Sequence, residues 1–93
     1  MTYVIHAYDY PDSLDKRMAV RPDHLDYVRK LKANDQFILG GALLDEAGQM
    51  MGSMLMLTLD TDDQLQDYLR TDPYIVQGVW EKIDVKPFRQ AEV

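Results

Sequence analysis

The stretch Arg21-Pro22-Asp23-His24 gives the clearest local signal in this 93-residue chain. Proline suits the first turn of a helix, because its missing N–H would have no partner there. Asp23 would complement the positive end of the helix dipole, and an apolar stripe from Leu25 to Leu31 follows at helical spacing. These features predict a helix from about Pro22 to Lys32, with His24 at its start.

The segments on either side of this helix complete a recognisable order. A second helix is predicted from the capping box Thr61–Gln64 to Asp72, because Pro73 disfavours helical geometry in the residue before it. One or two loose turns are expected before Arg21. Alternating or apolar runs predict four strands: Thr2–Tyr8, Gln36–Leu44, Met50–Leu59 and Val79–Lys86, the last ended by Pro87. The order βαββαβ, in one domain spanning residues 1–93, predicts an α+β ferredoxin-like fold with an antiparallel sheet.

Composition excludes several classes of function. The net charge of −6, with no Lys/Arg cluster, argues against nucleic acid and anionic membranes as partners. With no cysteine, two histidines and no HExxH spacing, we expect no metal. The absence of a GxGxxG motif leaves no dinucleotide site, and we expect no cofactor. No signal peptide or long apolar run is present, so a cytoplasmic location is expected.

The third strand is apolar on both faces, which has a consequence for assembly. Leu55, Leu57 and Leu59 alternate with Met54, Met56 and Thr58. Two short helices cover only one face of a four-stranded sheet. We therefore predict a homodimer that forms through the sheet faces, with Met54 and Met56 in the core or in the interface.

Connectivity predicts where a site would lie. In an antiparallel βαββαβ fold the start of the first helix and the end of the second meet at one end of the sheet. The end of the second strand and the start of the third lie at the same end. His24, Asp72, Gly40-Gly41 and Gly52-Ser53 should converge there, together with Tyr8-Asp9. Gly40 and Gly41 are expected at the end of their strand, where paired glycines mark a close approach, a bulge or a tight bend.

Several motifs along the chain resemble the YCII-related family of small bacterial proteins. They are Tyr3-Val4-Ile5-His6-Ala7-Tyr8-Asp9, Pro11-Asp12-Ser13-Leu14, Val20-Arg21-Pro22-Asp23-His24-Leu25, Gly40-Gly41, Gly52-Ser53, Asp72-Pro73-Tyr74, Gly78-Val79 and Val85-Lys86-Pro87-Phe88. The resemblance implies a dimeric ferredoxin-like α/β-barrel akin to muconolactone isomerases. It also implies a site built on His24 and Asp72, and enzyme-like activities such as dehydrohalogenation or isomerisation of ring-derived compounds. A typical member has Gly-Pro where this chain has Gly41-Ala42, so this rim of the pocket differs.

A His–carboxylate pair is suited to moving protons near neutral pH. We assign His24 as general acid/base and Asp72 as the residue that orients it. Tyr74 or Ser53 would bind a substrate oxygen, with Gly40 and Gly41 beside them.

Other assignments remain open at this point. Arg21, like Arg17, could bind an anionic substrate group, could be solvated, or could pair with Asp12, Asp15 or Asp23. His6 is interpreted as a packed or interface histidine. The function predicted is a cofactor-independent isomerase, lyase or dehydrohalogenase acting on a small ring-derived or carbonyl metabolite. The alternative is a non-catalytic small-molecule-binding or accessory protein. Without an acid/base role, His24 would merely pack at a helix start, with Asp72 as a C-terminal turn residue.

Overall fold

The computed structural model describes all 93 residues and contains four strands and three helices. In chain order they are β1 (Thr2–Asp9), α1 (Leu14–Ala33), β2 (Phe37–Leu44), β3 (Met50–Thr58), α2 (Asp62–Thr71), α3 (Pro73–Val76) and β4 (Trp80–Phe88). The strands form one sheet in the order β2-β3-β1-β4, with every neighbouring pair antiparallel. The predicted α+β ferredoxin-like fold is confirmed.

The core lies between the helices and one face of the sheet. Ile5 pairs with Leu55 and Ala7 with Ser53, and all four side chains are buried. Because alternate side chains along a strand point to opposite faces, these residues share the face that packs against the helices. The same core cluster takes in residues of each long helix: Val20 and Leu31 from α1, and Leu65 and Tyr68 from α2.

The first helix is longer than the sequence predicted. It begins at Leu14, directly after Ser13, and Pro22 lies inside it rather than at its start. Proline in a helix interior costs about 3 kcal/mol relative to alanine. Burial of Arg17 and Val20 before the proline, and of His24 after it, holds both halves against the core. The prediction that His24 opens a helix was therefore wrong, because tertiary burial outweighs the local preference of Pro22.

Two further expectations about strands were also wrong. Gly40 and Gly41 lie inside β2, not at its end. Gly40 does mark a close approach, since a Cβ there would lie 3.0 Å from the Met54 carbonyl oxygen. Strand β4 continues through Pro87 to Phe88. Because β4 is an edge strand, a residue without an N–H is tolerated there.

The opposite face of the sheet carries no helix. The pairing register places Val4 opposite Met56 and His6 opposite Met54, and all four residues are half-buried. None of the three helices combines the length and apolar character needed to traverse a lipid bilayer.

Candidate functional site

The structure brings His24 and Asp72 into direct contact. The distance between His24 Nδ1 and Asp72 Oδ1 is 2.8 Å, although the two residues are 48 positions apart in the sequence. Asp72 is completely buried, and His24 is 7% exposed. The contact joins the middle of α1 to the junction between α2 and α3.

Local structure explains the position of Asp72. It is the N-cap of α3, with Pro73 in the first turn, and its Oδ1 accepts a hydrogen bond of 2.9 Å from the Tyr74 N–H. Tyr68, one turn earlier in α2, donates its hydroxyl to Oδ2 at 2.6 Å. Burial, reinforced by the Asp72 charge, raises the pKa of Tyr68 well above its ordinary value of 10.0. Tyr68 is therefore held as a neutral donor to Asp72.

An aromatic stack fixes the plane of the imidazole. The Tyr74 ring lies 4.0 Å from the His24 ring at an interplanar angle of 16°, and Trp80 meets His24 edge-on at 5.9 Å. The guanidinium carbon of Arg17 lies 4.7 Å from the centre of the Tyr74 ring. Burial raises the pKa of Tyr74, although the charges of Arg17 and Arg21 oppose that rise. The structure thus gives the Tyr74 ring a stacking role that the sequence did not indicate.

Arg17 and Asp9 form a second polar pair, which the sequence did not indicate. Arg17 Nη1 donates to both carboxylate oxygens of Asp9, at 2.9 and 3.1 Å, and Nη2 donates to Ser53 Oγ at 2.7 Å. Burial raises the pKa of the Asp9 carboxyl, against the opposing charge of Arg17. The partner of Arg17 is therefore neither Asp12, Asp15 nor Asp23. If the helix had been predicted to begin at Leu14, the sequence would have placed Arg17 beside the site, because Arg17 lies seven residues before His24 on the same helix face.

A cavity of about 110 Å³ lies against these residues. Its polar lining comes from Arg17, Arg21, His24, Ser53 and Tyr74. Its remaining wall is glycine or apolar, formed by Leu25, Val28, Phe37, Gly40, Gly41, Ala42 and Leu55. Asp72 lies behind His24, outside this lining. The predicted residues Arg21, Gly40, Gly41, Ser53 and Tyr74 line the cavity together with His24, whereas Tyr8, Asp9 and Gly52 do not.

The two ring nitrogens of His24 therefore differ. Nδ1 contacts Asp72, while Nε2 has no hydrogen-bond partner within the chain and is the nitrogen left for a bound molecule. Arg21 makes no ion pair.

A larger and more open cleft, of about 480 Å³, lies on the far side of Asp9. It is lined by Tyr8 and Tyr10 and by the carboxylates of Asp9, Asp12, Asp15, Asp45 and Glu81. Asp9 thus lines this acidic cleft, while its partner Arg17 lines the basic cavity beside His24. Nowhere do three His, Cys, Asp or Glu side chains come together in a way that could hold a metal ion.

The fold and the site together define a class: a ferredoxin-like α+β domain with a buried His–Asp pair beside a small basic cavity. Comparison with known protein families identifies the family to which this domain belongs. Residues 1–89 match the YCII-related domain, and the chain belongs to that family.

Three similar proteins extend this result. Protein YciI of Escherichia coli is 34% identical over 97% of this chain and 98% of its own length. Fusaric acid biosynthesis protein 2 of Gibberella fujikuroi is 25% identical over 94% of this chain and 91% of its own. The 5-chloro-2-hydroxyhydroquinone dehydrochlorinase of Burkholderia phenoliruptrix, solved in complex with 2,5-dihydroxybenzoquinone, superimposes with a TM-score of 0.87. It is 26% identical, and the match covers 98% of this chain and 96% of that one.

Proposed function

We propose that this protein is a cofactor-independent enzyme that transfers a proton on a small ring-derived or carbonyl compound, with His24 as general acid/base. The observation that carries the proposal is the 2.8 Å contact between Asp72 and His24 Nδ1, which leaves Nε2 without a partner on a side chain that lines the cavity. A buried carboxylate on one ring nitrogen is the arrangement that prepares the other nitrogen to take up a proton.

The proposed roles follow from hydrogen-bond chemistry. A carboxylate accepts, so Asp72 holds the proton on Nδ1 and leaves the lone pair on Nε2. When Nε2 takes a proton from the substrate, the imidazolium that forms lies against the Asp72 charge and is stabilised by it. In a dehydrochlorination, chloride leaves with its bonding electrons, and His24 returns its proton to solvent, so that HCl is lost overall. In an isomerisation, His24 returns the proton to another atom of the substrate.

Two comparisons support this reaction class. The structurally similar protein from Burkholderia phenoliruptrix is a dehydrochlorinase of a chlorinated hydroxyhydroquinone. A second relative is named for the biosynthesis of fusaric acid. The cavity, about 110 Å³, is of the same order as the ~150 Å³ cavity that holds a benzene molecule in another protein. A single ring is therefore the substrate size that we propose.

We also propose that the protein works as a homodimer that associates through the face of the sheet without helices. Val4, His6, Met54 and Met56 lie on that face and are half-buried already in one copy of the chain. Flexible methionines suit an adaptable contact surface, and a second sheet would cover the face that the helices leave open.

Proton transfer is tested directly with the compounds of the similar dehydrochlorinase. Chloride release from 5-chloro-2-hydroxyhydroquinone is measured for the wild type, and so is deuterium uptake at the ring carbons of 2,5-dihydroxybenzoquinone. Replacing His24 with alanine should lower either rate by about 10²–10⁴-fold, because it removes the general base. Lys30→Ala is the matched control, since Lys30 is exposed on the same helix as His24 and does not line the cavity. Circular dichroism verifies that both variants are folded.

The outcomes separate the two classes of function. If His24→Ala keeps the wild-type rate, His24 is not the acid/base and the proposal is wrong. If 2,5-dihydroxybenzoquinone binds to the wild type but neither compound reacts, the alternative holds, a non-catalytic small-molecule-binding protein.

A further inference from the structure

Arg17 has one polar atom that the chain leaves without a partner. The residue is 2% exposed, and its two terminal nitrogens are occupied by Asp9 and Ser53. Its Nε is buried and makes no hydrogen bond. An unpaired buried N–H is unfavourable. Because Arg17 lines the cavity beside His24, a bound molecule is an available partner for it.

Ser53 also has a donor to spare. A guanidinium only donates, so Ser53 Oγ must be the acceptor in its 2.7 Å contact with Arg17. The serine hydroxyl proton then has no acceptor within the chain. Ser53 is 2% exposed and lines the same cavity, so its O–H is oriented by Arg17 and available to a ligand oxygen.

The charged side chains that line the cavity are arginines, so its charge is positive and would attract an anion. Arg21 lines it without forming an ion pair. No Asp or Glu side chain lines it, although the whole chain carries a net charge of −6. The polar wall therefore offers donors from Arg17, Arg21 and Ser53 and the unpaired positive charge of Arg21, and the only side-chain acceptors that face these are Nε2 of His24 and the Tyr74 hydroxyl.

We propose that this cavity binds its ligand as a ring-borne oxyanion, an enolate or a phenolate, held by Ser53 and the Arg17 guanidinium with Arg21 at the rim. The inference rests on the proposed function, because it names the substrate class of the same site. Removal of a proton next to a carbonyl places negative charge on oxygen. Donors fixed before the reaction stabilise that charge as it develops. The apolar part of the wall, formed by Val28, Phe37 and Leu55, suits the ring that carries the oxygen.

The probe for this proposal is 4-nitrocatechol, whose absorbance distinguishes the phenol from the phenolate. The titration is done about one pH unit below the pKa of the free probe, where most of it is neutral. Addition of the wild-type protein should convert the spectrum to that of the phenolate. Ser53→Ala should weaken binding of the phenolate by about tenfold or more, because it removes a hydrogen bond to a charged group. The dimethyl ether of the same compound, which cannot ionise, should bind wild type and variant equally weakly.

Ser13→Ala is the matched control, because Ser13 lies in the loop before α1 and does not line the cavity. Its affinity for the phenolate should equal that of the wild type. The proposal is wrong if 4-nitrocatechol does not bind, if it binds as the neutral phenol, or if Ser53→Ala and Ser13→Ala behave alike.

These results are independent of turnover. Phenolate binding without a His24-dependent reaction would leave the oxyanion site in place and refute the proposed enzyme. A His24-dependent reaction, together with binding of the probe as the neutral phenol, would support the proposed enzyme and refute the oxyanion site.

Discussion

At the scale of single residues, Asp72 connects the candidate site to the stability of the fold. Its carboxylate accepts hydrogen bonds from His24, from the Tyr74 N–H and from the Tyr68 hydroxyl, and none of it reaches solvent. Removing one donor from a buried acceptor lowers the free energy of unfolding by about 1–3 kcal/mol. Substitutions around Asp72 should therefore change both folding and function, and their effects must be measured separately.

Tyr68→Phe tests this connection through pH. Removing the hydroxyl should lower the free energy of unfolding by about 1–3 kcal/mol. Because the pKa of Tyr68 is raised in the fold, the folded chain keeps the tyrosine proton above about pH 10 while the unfolded chain loses it. The folded state then binds more protons, so wild-type stability falls as pH rises through this range. Urea unfolding at increasing pH should show a shallower decline in the free energy of unfolding for Tyr68→Phe. The decline that remains in this variant comes from Tyr74, whose pKa is also raised.

Tyr10→Phe is the control for that measurement, because the Tyr10 side chain is exposed and its hydroxyl makes no hydrogen bond within the chain. It should keep the wild-type slope. A Tyr68→Phe slope equal to that of the wild type would contradict the assigned role of Tyr68.

The sequence predicted some of these residues and not others for physical reasons. His24 and Asp72 were paired because the βαββαβ order brings the first helix next to the end of the second. Arg17 and Asp9 are joined across a loop that includes Asp12 at a positive φ of 56°. No periodic pattern reports how such a loop turns, so the sequence left the partner of Arg17 open.

At the scale of elements, α1 and β2 show where local rules fail. Pro22 and the glycine pair at 40 and 41 are residues that usually end helices and strands, yet both elements run through them. Burial of side chains before and after Pro22 holds the helix together, and the neighbouring strand β3 holds β2. Element order and type could therefore be predicted from the sequence, whereas the boundaries depended on tertiary contacts.

Gly52 in β3 lies so close to the backbone of β1 that a side chain has no room there. A Cβ at Gly52 would collide with the backbone carbonyl of Ala7, which belongs to the paired strand and has little room to move. Gly52→Ala should therefore reduce the free energy of unfolding by about 1–3 kcal/mol. Gly41→Ala is the matched control, since a Cβ there meets no atom within 4 Å. Chemical denaturation of both variants makes the comparison. Equal stability of the two would show that β1 and β3 separate more easily than their packing indicates.

At the scale of the whole molecule, the unequal faces of the sheet are the dominant feature. Helices cover the face that carries Ile5, Leu55 and Leu57, and the face that carries Met54 and Met56 is open. The sequence predicted this asymmetry, because β3 is apolar on both sides and two helices are too few to cover both. What the sequence lacks is the shape of the open face, which depends on sheet twist and on the bulges at the ends of β2.

The proposed dimer is tested by placing a charge on that open face. The wild type should sediment as a dimer in analytical ultracentrifugation, and Met54→Glu should sediment as a monomer, because an unpaired charge in an apolar contact is strongly unfavourable. Met18→Glu is the matched control, since Met18 is exposed on α1. It should remain dimeric. A monomeric wild type, or a Met54→Glu variant that still dimerises, would refute the proposed assembly.

The distances in sequence between contacting site residues have a practical consequence. His24 and Asp72 are 48 positions apart, and Arg17 and Ser53 are 36 apart, so no short segment of the chain contains the cavity and unfolding abolishes it. Any ligand of the cavity therefore binds only the folded protein and raises its melting temperature. At about a hundred times its Kd a ligand adds about 2.7 kcal/mol, and each kcal/mol corresponds to about 4–8 °C in a domain of this size. A thermal-shift screen of phenols, quinones and cyclic ketones would thus detect ligands of the cavity without an assay of turnover.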